Sequence, residues 1–113
     1  MMLLIVDDNK QVRRMIRSLV EDLETEFCEC EDGADALAAY REYQPDLVLM
    51  DVAMKNVDGL TATRQIKSFF PKAKVVIVTN HTDAQTQQAA LAAGAVAFLG
   101  KDDLGALRGM IGS

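Results

Sequence analysis

Short apolar runs alternate with helical patterns along the chain. Runs of this length and content are typical of strands buried on both faces of a parallel sheet. Strands are predicted at residues 2–6, 27–30, 46–50, 74–78 and 96–99. A helical pattern follows each of them. Five βα units in a row predict an α/β fold, a doubly wound five-stranded parallel sheet flanked by five helices with right-handed crossovers.

The segments between the strands repeat apolar residues every three or four positions, which is the spacing of amphipathic helices. These helices are predicted at residues 12–23, 34–43, 58–70, 82–94 and 104–111. Thr82 followed by Gln85 has the form of a capping box, so Thr82 is predicted to be the N-cap residue of the fourth helix. Gly94 is predicted to end that helix as its C′ residue. Asp32 and Gly33 are predicted to form a turn after the second strand.

Polar residues stand where four of the apolar runs end. Asp8, beside Asp7, follows the first strand, Asp51 the third, Thr79 the fourth and Lys101 the fifth. The carboxyl ends of parallel strands share one edge of the sheet, and ligands bind just outside that edge. We therefore expect three carboxylates, a hydroxyl and an ammonium group to converge there.

This set of groups is suited to phosphoryl transfer. Carboxylates at the first βα turn would repel a phosphate unless a cation lay between them, and hard oxygen ligands suit Mg²⁺. An oxygen of Asp51 is a possible nucleophile that would form an aspartyl-phosphate. Mg²⁺ and Lys101 would stabilise the transferred group, and the hydroxyl of Thr79 could donate a hydrogen bond to it.

Composition and charge exclude other classes. A chain of 113 residues can bury one core and not two, so residues 1–113 are expected to form one domain. The net charge of −5 disfavours binding of nucleic acid by this domain. No apolar run approaches the roughly 20 residues needed to cross a bilayer, so no membrane association is expected. Two cysteines and the lack of a signal-peptide pattern favour a cytoplasmic location.

The residues at the strand ends resemble the receiver domain of two-component response regulators, the CheY-like family. The resemblance covers essentially the whole chain and implies a flavodoxin-like receiver fold. Its motifs lie at residues 6–9 (VDDN), 51–54 (DVAM), 57–59 (VDG), 78–79 (VT) and 98–101 (FLGK).

The resemblance implies a role for each matched residue. Asp51 would be the phosphoacceptor, and Lys101 would pair with the phosphoryl group. Mg²⁺ would be bound by Asp51, by Asp8 directly, by Asp7 through water and by the backbone carbonyl of Ala53. The domain would be no enzyme beyond its self-phosphorylation from a phosphodonor and its autodephosphorylation.

The resemblance also implies a switch and two protein partners. Thr79 and Phe98 would form the switch pair that remodels an output face on helix 4, strand 5 and helix 5, for an output protein or a homodimer. A sensor histidine kinase or phosphotransfer protein would dock on helix 1, whose exposed side is predicted to be basic through Lys10, Arg13, Arg14 and Arg17. The residues expected to contact this partner are Asn9, Val12, Arg13 and Met15.

The chain departs from the family pattern at several positions. Asp102 follows Lys101 where the family usually has a proline in a cis peptide, and a cis bond before a non-proline residue costs about 3 kcal/mol or more, so a trans bond is predicted. Asn80 follows Thr79 where a small residue is usual. Ala53 and His81 occupy the variable positions beside the path of the hydrolytic water, with His81 expected on an exposed loop. The lifetime of the phosphoryl group is therefore open.

Alternatives remain open at this point. One is a receiver-like scaffold that works without phosphorylation, and another is the receiver half of a longer DNA-binding response regulator. A phosphatase of the haloacid dehalogenase type is disfavoured, because its acid/base aspartate would stand where this chain has Ala53. A flavin-binding module is disfavoured by the acidic first turn and by the absence of tryptophan.

Overall fold

The computed structural model describes residues 1–111 and contains one five-stranded parallel sheet. Neighbouring strands lie in the order β2-β1-β3-β4-β5, and every pair is parallel. All strands therefore end at the same edge, as predicted, although four of them differ by one residue from their predicted bounds. The strands are β1 (Met2–Val6), β2 (Glu26–Cys30), β3 (Leu47–Met50), β4 (Val75–Thr79) and β5 (Ala97–Gly100).

Five α-helices follow the strands. They are α1 (Lys10–Val20), α2 (Ala36–Tyr43), α3 (Gly59–Phe69), α4 (Ala84–Ala92) and α5 (Leu107–Ile111). Short 3₁₀ segments precede α2 (Gly33–Asp35) and α5 (Lys101–Ala106), and another extends α1 (Glu21–Leu23). The second, fourth and fifth predicted helices begin later than their sequence patterns indicate, and 3₁₀ segments occupy the first predicted positions of the second and the fifth. Within residues 1–111, no helix combines the length and the apolar content required to cross a bilayer.

Side chains of the sheet alternate between two layers of the hydrophobic core, one on each face of the sheet. Leu3 and Ile5 of β1 pack with Ile16 of α1 and Leu107 of α5 on one face of the sheet. The intervening β1 residues face the other side and pack against α2, α3 and α4, where Ile66 is fully buried. Because both faces are covered, the strands are apolar at nearly every position. The sheet edge is therefore the place where polar side chains can gather.

The two ends of α4 are capped in different ways, by a side chain at its start and by a glycine at its end. The predicted N-cap Thr82 is wrong: Asp83 caps the helix, because its Oδ2 accepts the N–H of Thr86 (3.0 Å) while its Oδ1 accepts the Thr86 hydroxyl (2.7 Å). The predicted C′ residue Gly94 is confirmed. It has a φ of +105°, its N–H donates to the carbonyl of Leu91, and the next N–H donates to the carbonyl of Ala90. That pair of bonds is a Schellman motif, in which the left-handed conformation favours glycine.

Candidate functional site

The predicted strand-end residues meet in one cleft of about 200 Å³ at the carboxyl edge of the sheet. The turn after β1 carries Asp7 and Asp8, Asp51 follows β3, Thr79 ends β4 and Lys101 follows β5. Residues separated by up to 94 positions in sequence are brought together because the strands are parallel. The cleft is lined by Asp8, Asn9, Asp51, Ala53, Thr79, Asn80, His81 and Lys101.

Lys101 bridges two of the carboxylates. Its Nζ lies 2.9 Å from Oδ2 of Asp7 and 3.3 Å from Oδ1 of Asp51, and its side chain is only 12% exposed. Burial lowers the pKa of Lys101, but the hydrogen bond that Lys101 donates to Asp7 and the charge of Asp51 outweigh burial, so that pKa is raised. The ammonium group is therefore charged at neutral pH. No peptide bond among residues 1–111 is cis, so the predicted trans bond between Lys101 and Asp102 is confirmed.

Asp51 is buried at the floor of the cleft. Its own N–H donates to the carbonyl of Val6 (2.8 Å), and its Oδ1 accepts the N–H of Val52 (2.9 Å). Burial, followed by the charge of Asp7, raises the pKa of Asp51 to about 6, in spite of the opposing effect of Lys101. Oδ1 therefore receives both hydrogen bonds that residues 1–111 give this carboxylate, and Oδ2 is left for a further ligand or reaction.

Asp7, Asp8 and Asp51 together form a set of hard oxygen donors. One carboxylate oxygen from each lies within 4.8 Å of the others. Both oxygens of Asp7 already have partners, since Oδ1 accepts the N–H of Asn9 (2.8 Å) and Oδ2 pairs with Lys101. Asp8 is exposed to the cleft. Three carboxylates facing one ammonium group leave an excess negative charge, which a divalent cation would neutralise.

Thr79 and Phe98 lie on neighbouring strands. The side chain of Thr79 is buried, and its Oγ1 accepts the N–H of His81 (3.1 Å), so the hydroxyl proton stays available. Phe98 is half-buried against the core cluster on the α2–α3 side. His81 is exposed at the rim of the cleft, as the sequence predicts.

Sequence reasoning missed Asp32, which it assigned to an ordinary turn. Asp32 is buried, and its carboxylate accepts the N–H groups of Ala34 (2.9 Å), Asn56 (2.8 Å) and Val57 (2.9 Å). These bonds, led by that from Ala34, lower the pKa of Asp32. Asp32 thereby ties the end of β2 to the loop that follows Asp51. Its place at the carboxyl edge was a signal, because the same strand-end rule that selected Asp51 applies to β2.

Gly59 is a second residue whose role depends on close packing. A Cβ atom at this position would overlap the carbonyl oxygen of Asp51. The N–H of Gly59 donates to the carbonyl of Val52 (2.8 Å). A residue without a side chain therefore lets α3 begin directly against the backbone that carries Asp51.

One predicted member of the helix 1 docking face is wrong. Arg13 is only 6% exposed, because its guanidinium group turns towards β2 and the first βα turn. Met15 is 52% exposed and Asn9 is exposed, whereas Val12 is half-buried. The Oδ1 of Asn9 accepts the N–H of Gln11 (2.9 Å), so this residue also caps α1.

A larger cleft of about 590 Å³ lies between α1 and β2. Its walls are charged side chains that pair with one another, among them Arg17 with Glu29 (2.8 Å). None of the three converging carboxylates is among the residues that line it. The smaller cleft at the strand ends is therefore the better candidate site, because that is where the reactive groups gather.

Comparisons with known proteins match this chain to one family. The family model described as response regulator receiver domain matches residues 3–111. A chemotaxis protein CheY of Halobacterium salinarum is 36% identical over 98 residues, which cover 87% of this chain and 82% of the relative. A putative transcriptional regulator of Pseudomonas aeruginosa is 37% identical over 99 residues, which cover 87% of this chain and 48% of the relative.

A solved structure shares the fold. The crystal structure of a two-component response regulator of the LuxR family from Aurantimonas sp. superposes with a TM-score of 0.89 at 30% identity. The match covers 98% of this chain and 84% of that chain. The sheet order and the flanking helices thus agree with a solved member of the same class.

Proposed function

This chain belongs to the response regulator receiver domain family, and we propose that it accepts a phosphoryl group on Asp51. Receiver domains are signalling modules of two-component systems that interact with histidine kinases or phosphotransfer proteins. One observation carries the assignment to this residue: Asp51 is buried among two further carboxylates and Lys101, and its Oδ2 faces the cleft without a donor from residues 1–111.

In the proposed reaction, Oδ2 of Asp51 attacks the phosphorus of a phosphohistidine or of a small acyl phosphate. A bond forms between Oδ2 and phosphorus while the bond from phosphorus to the leaving imidazole nitrogen or acyl oxygen breaks. The N–H of Val52 holds Oδ1 and thereby fixes the direction of Oδ2. Phosphoryl transfer depends mainly on such positioning and on charge stabilisation.

The donor set at the strand ends fits Mg²⁺. Receiver domains bind Mg²⁺ at an acidic pocket, and here three carboxylates offer oxygens within 4.8 Å of one another. When bound, Mg²⁺ would neutralise charge on the transferred group. We assign direct ligation to Asp8, Asp51 and the carbonyl of Ala53, and ligation through water to Asp7. The engagement of both Asp7 oxygens by Asn9 and Lys101 supports that division.

Lys101 and Thr79 would hold the phosphoryl oxygens. Lys101 is charged and already touches Asp51, so a short shift of Nζ would let it pair with a phosphoryl group on that residue. The Thr79 hydroxyl would donate its free proton to a second oxygen. Movement of Thr79 towards the phosphoryl group would then favour burial of Phe98, which is half-exposed in this structure. This is the switch we propose for the output face on α4, β5 and α5.

The proposed output face carries exposed apolar side chains. Leu91 of α4 is 56% exposed, Val96 before β5 is 55% exposed and Met110 of α5 is 39% exposed. An output protein or a second copy would cover this face. The kinase or phosphotransfer protein would contact α1 near Asn9, Val12 and Met15, beside the cleft. We place the domain, residues 1–113, in the cytoplasm, where such kinases present their phosphohistidine.

A second form of the proposal is a receiver that forms part of a longer transcriptional regulator. The relative named a putative transcriptional regulator supports it, because this chain spans 48% of that protein. The chemistry proposed for Asp51 is the same in both forms.

The test is the mass of the intact protein after incubation with acetyl phosphate and Mg²⁺. Wild type should gain one phosphoryl group, and prior addition of EDTA should abolish the gain. Asp51→Asn should gain none, while Asp35→Asn, which removes an exposed carboxylate outside the cleft, should behave as wild type. A gain in Asp51→Asn equal to that of wild type would refute the assignment of the phosphoacceptor.

A further inference from the structure

Arg13 is the one buried arginine among residues 1–111, and its contacts lead to the candidate site. Its Nη1 donates to the backbone carbonyl of Asp7 (2.6 Å), and its Nε donates to Oε1 of Glu29 on β2 (2.9 Å). Its Nη2 lies 3.7 Å from Oε1 of Glu31. The guanidinium group is therefore held by β2 while it holds the turn after β1.

The carbonyl that Arg13 holds belongs to the peptide that joins Asp7 to Asp8. Because that peptide is planar, fixing its oxygen also fixes the direction in which the backbone enters Asp8. The other contacts of Asp7 involve different atoms: its N–H donates to the carbonyl of Cys30 (3.1 Å), and its carboxylate binds Asn9 and Lys101. Among these contacts, the bond from Arg13 is the one that acts on the linking peptide.

An arginine is suited to this place for a geometric reason. Its planar fork presents several N–H donors at fixed angles, so one side chain binds a carboxylate and a carbonyl at the same time. A lysine would offer a single flexible ammonium group. Glu29 also pairs with Arg17 (2.8 Å), which holds the carboxylate in place for Arg13.

We propose that Arg13 is a positioning residue for the cation site, an inference that rests on the proposed function. Its guanidinium group, anchored by Glu29, orients the Asp7–Asp8 peptide so that the carboxylate of Asp8 lines the cleft while that of Asp7 stays paired with Lys101. This role is distinct from docking of a kinase on α1, because the group points inward. It also goes beyond a merely structural link between α1 and β2, because it predicts an effect on cation affinity.

A change of charge and a change of position have opposite effects here, which makes the test decisive. Removing a positive charge near an acidic site should strengthen binding of a cation. Loss of positioning should weaken it. Arg13→Met keeps the apolar stem and removes both the charge and the donors. The matched control is Arg14→Met, which removes the same charge from the exposed side of the same helix.

The experiment is calorimetric titration of each metal-free 113-residue protein with Mg²⁺, well below its unfolding temperature. Arg13→Met should raise the Kd for Mg²⁺ about tenfold, the effect of one lost charge-assisted hydrogen bond. Arg13→Lys should fall between that variant and wild type. Arg14→Met should stay within about twofold of wild type. In metal-free NMR spectra, Arg13→Met should shift the amide signals of Asp8 and Asn9, and Arg14→Met should not.

A second pair of variants covers the case in which Arg13→Met does not fold. Glu29→Gln loosens the anchor of Arg13, whereas Glu31→Gln removes the same charge just after the end of β2, at a longer distance from Arg13. Glu29→Gln should raise the Kd about threefold more than Glu31→Gln does. Equal effects of the two would overturn the positioning role, as would an unchanged or lower Kd in folded Arg13→Met. Absence of Mg²⁺ binding by wild type would instead refute the proposed function itself.

Discussion

Charged side chains are paired differently at the two edges of the sheet. At the amino edge, charged groups close the ends of elements: Lys67 donates to the carbonyls of Pro71 (2.6 Å) and Ala73 (2.9 Å), and Asp46 accepts the N–H of Met2 (2.8 Å). At the carboxyl edge, Asp7 and Asp51 are both at least 95% buried and share one ammonium group.

The difference indicates that the charged groups at the amino edge stabilise the fold, whereas those at the carboxyl edge do not. Groups at the amino edge have their partners in the chain, so their contribution is complete when the protein folds. The carboxylates at the carboxyl edge repel one another and are removed from water, as the raised pKa of Asp51 shows. This arrangement is explained if the carboxylates serve to bind a cation and to accept a phosphoryl group.

The largest expected effect comes from removing the buried charge. In EDTA near neutral pH, Asp51→Asn should raise the free energy of unfolding. The pKa of about 6, against an ordinary value of 3.8, sets an upper limit of about 3 kcal/mol on the gain. Urea unfolding measures it, with Asp35→Asn as the control. A loss of stability in Asp51→Asn would show that the partners of Asp51 compensate its charge as fully as those of the charged groups at the amino edge.

The pH dependence of stability should report the same group. A pKa that is higher in the folded state means that folding stabilises the protonated form, so metal-free wild type should lose stability as the pH rises through about 6. Between about pH 5 and pH 8 the loss relative to Asp51→Asn should be about 1.4 kcal/mol. The comparison with Asp51→Asn removes the contributions of other groups.

The groups that face Asp51 are Asp7, Asp8 and Lys101, and all three remain in the variant. Asp32 and Asp83, whose pKa values are lowered, act in the opposite direction, because their contribution is lost as the pH falls through their folded pKa. Parallel pH profiles of wild type and Asp51→Asn would contradict the prediction.

The smallest effect is expected from an exposed ion pair at the amino edge of the sheet. Arg108 donates to the carbonyl of Leu19 (2.7 Å) and pairs with Asp22 (2.8 Å), and both side chains are exposed. Arg108→Met should lower Tm by only about 1–2 °C in a thermal scan, and the difference should shrink in high salt. Its response to Mg²⁺ should equal that of wild type, since it lies far from the carboxyl edge. If Arg108→Met lost its stabilisation by Mg²⁺, the two edges of the sheet would not be independent, contrary to this account.

The sequence was most informative where topology alone decides the outcome. Once five strands are parallel, the residues that follow them meet at one edge, which is why the sequence alone predicts that Asp51, Thr79 and Lys101 lie close together. The capping residue of α4 could not be decided in the same way. Thr82 and Asp83 are both good N-cap residues, and the choice depends on which side chain reaches Thr86.

Arg13 and Asp32 escaped prediction because charged residues are expected on the surface. Each is buried through a partner that is distant in sequence, Glu29 for Arg13 and the loop at residues 56–57 for Asp32. A sequence signal existed for Arg13, since it lies three and seven positions before Ile16 and Val20 on the buried stripe of α1. Helical periodicity shows the stripe, but only the structure shows that an arginine is satisfied there.

The most direct test of the central claim is the effect of Mg²⁺ on the free energy of unfolding. At about ten times its Kd, Mg²⁺ should stabilise wild type by about 1.4 kcal/mol relative to EDTA. Asp51→Asn, which lacks one of the carboxylates, should show a clearly smaller gain, and Asp35→Asn the full gain. Equal stability of wild type in Mg²⁺ and in EDTA, or an undiminished gain in Asp51→Asn, would contradict a cation site built from Asp7, Asp8 and Asp51.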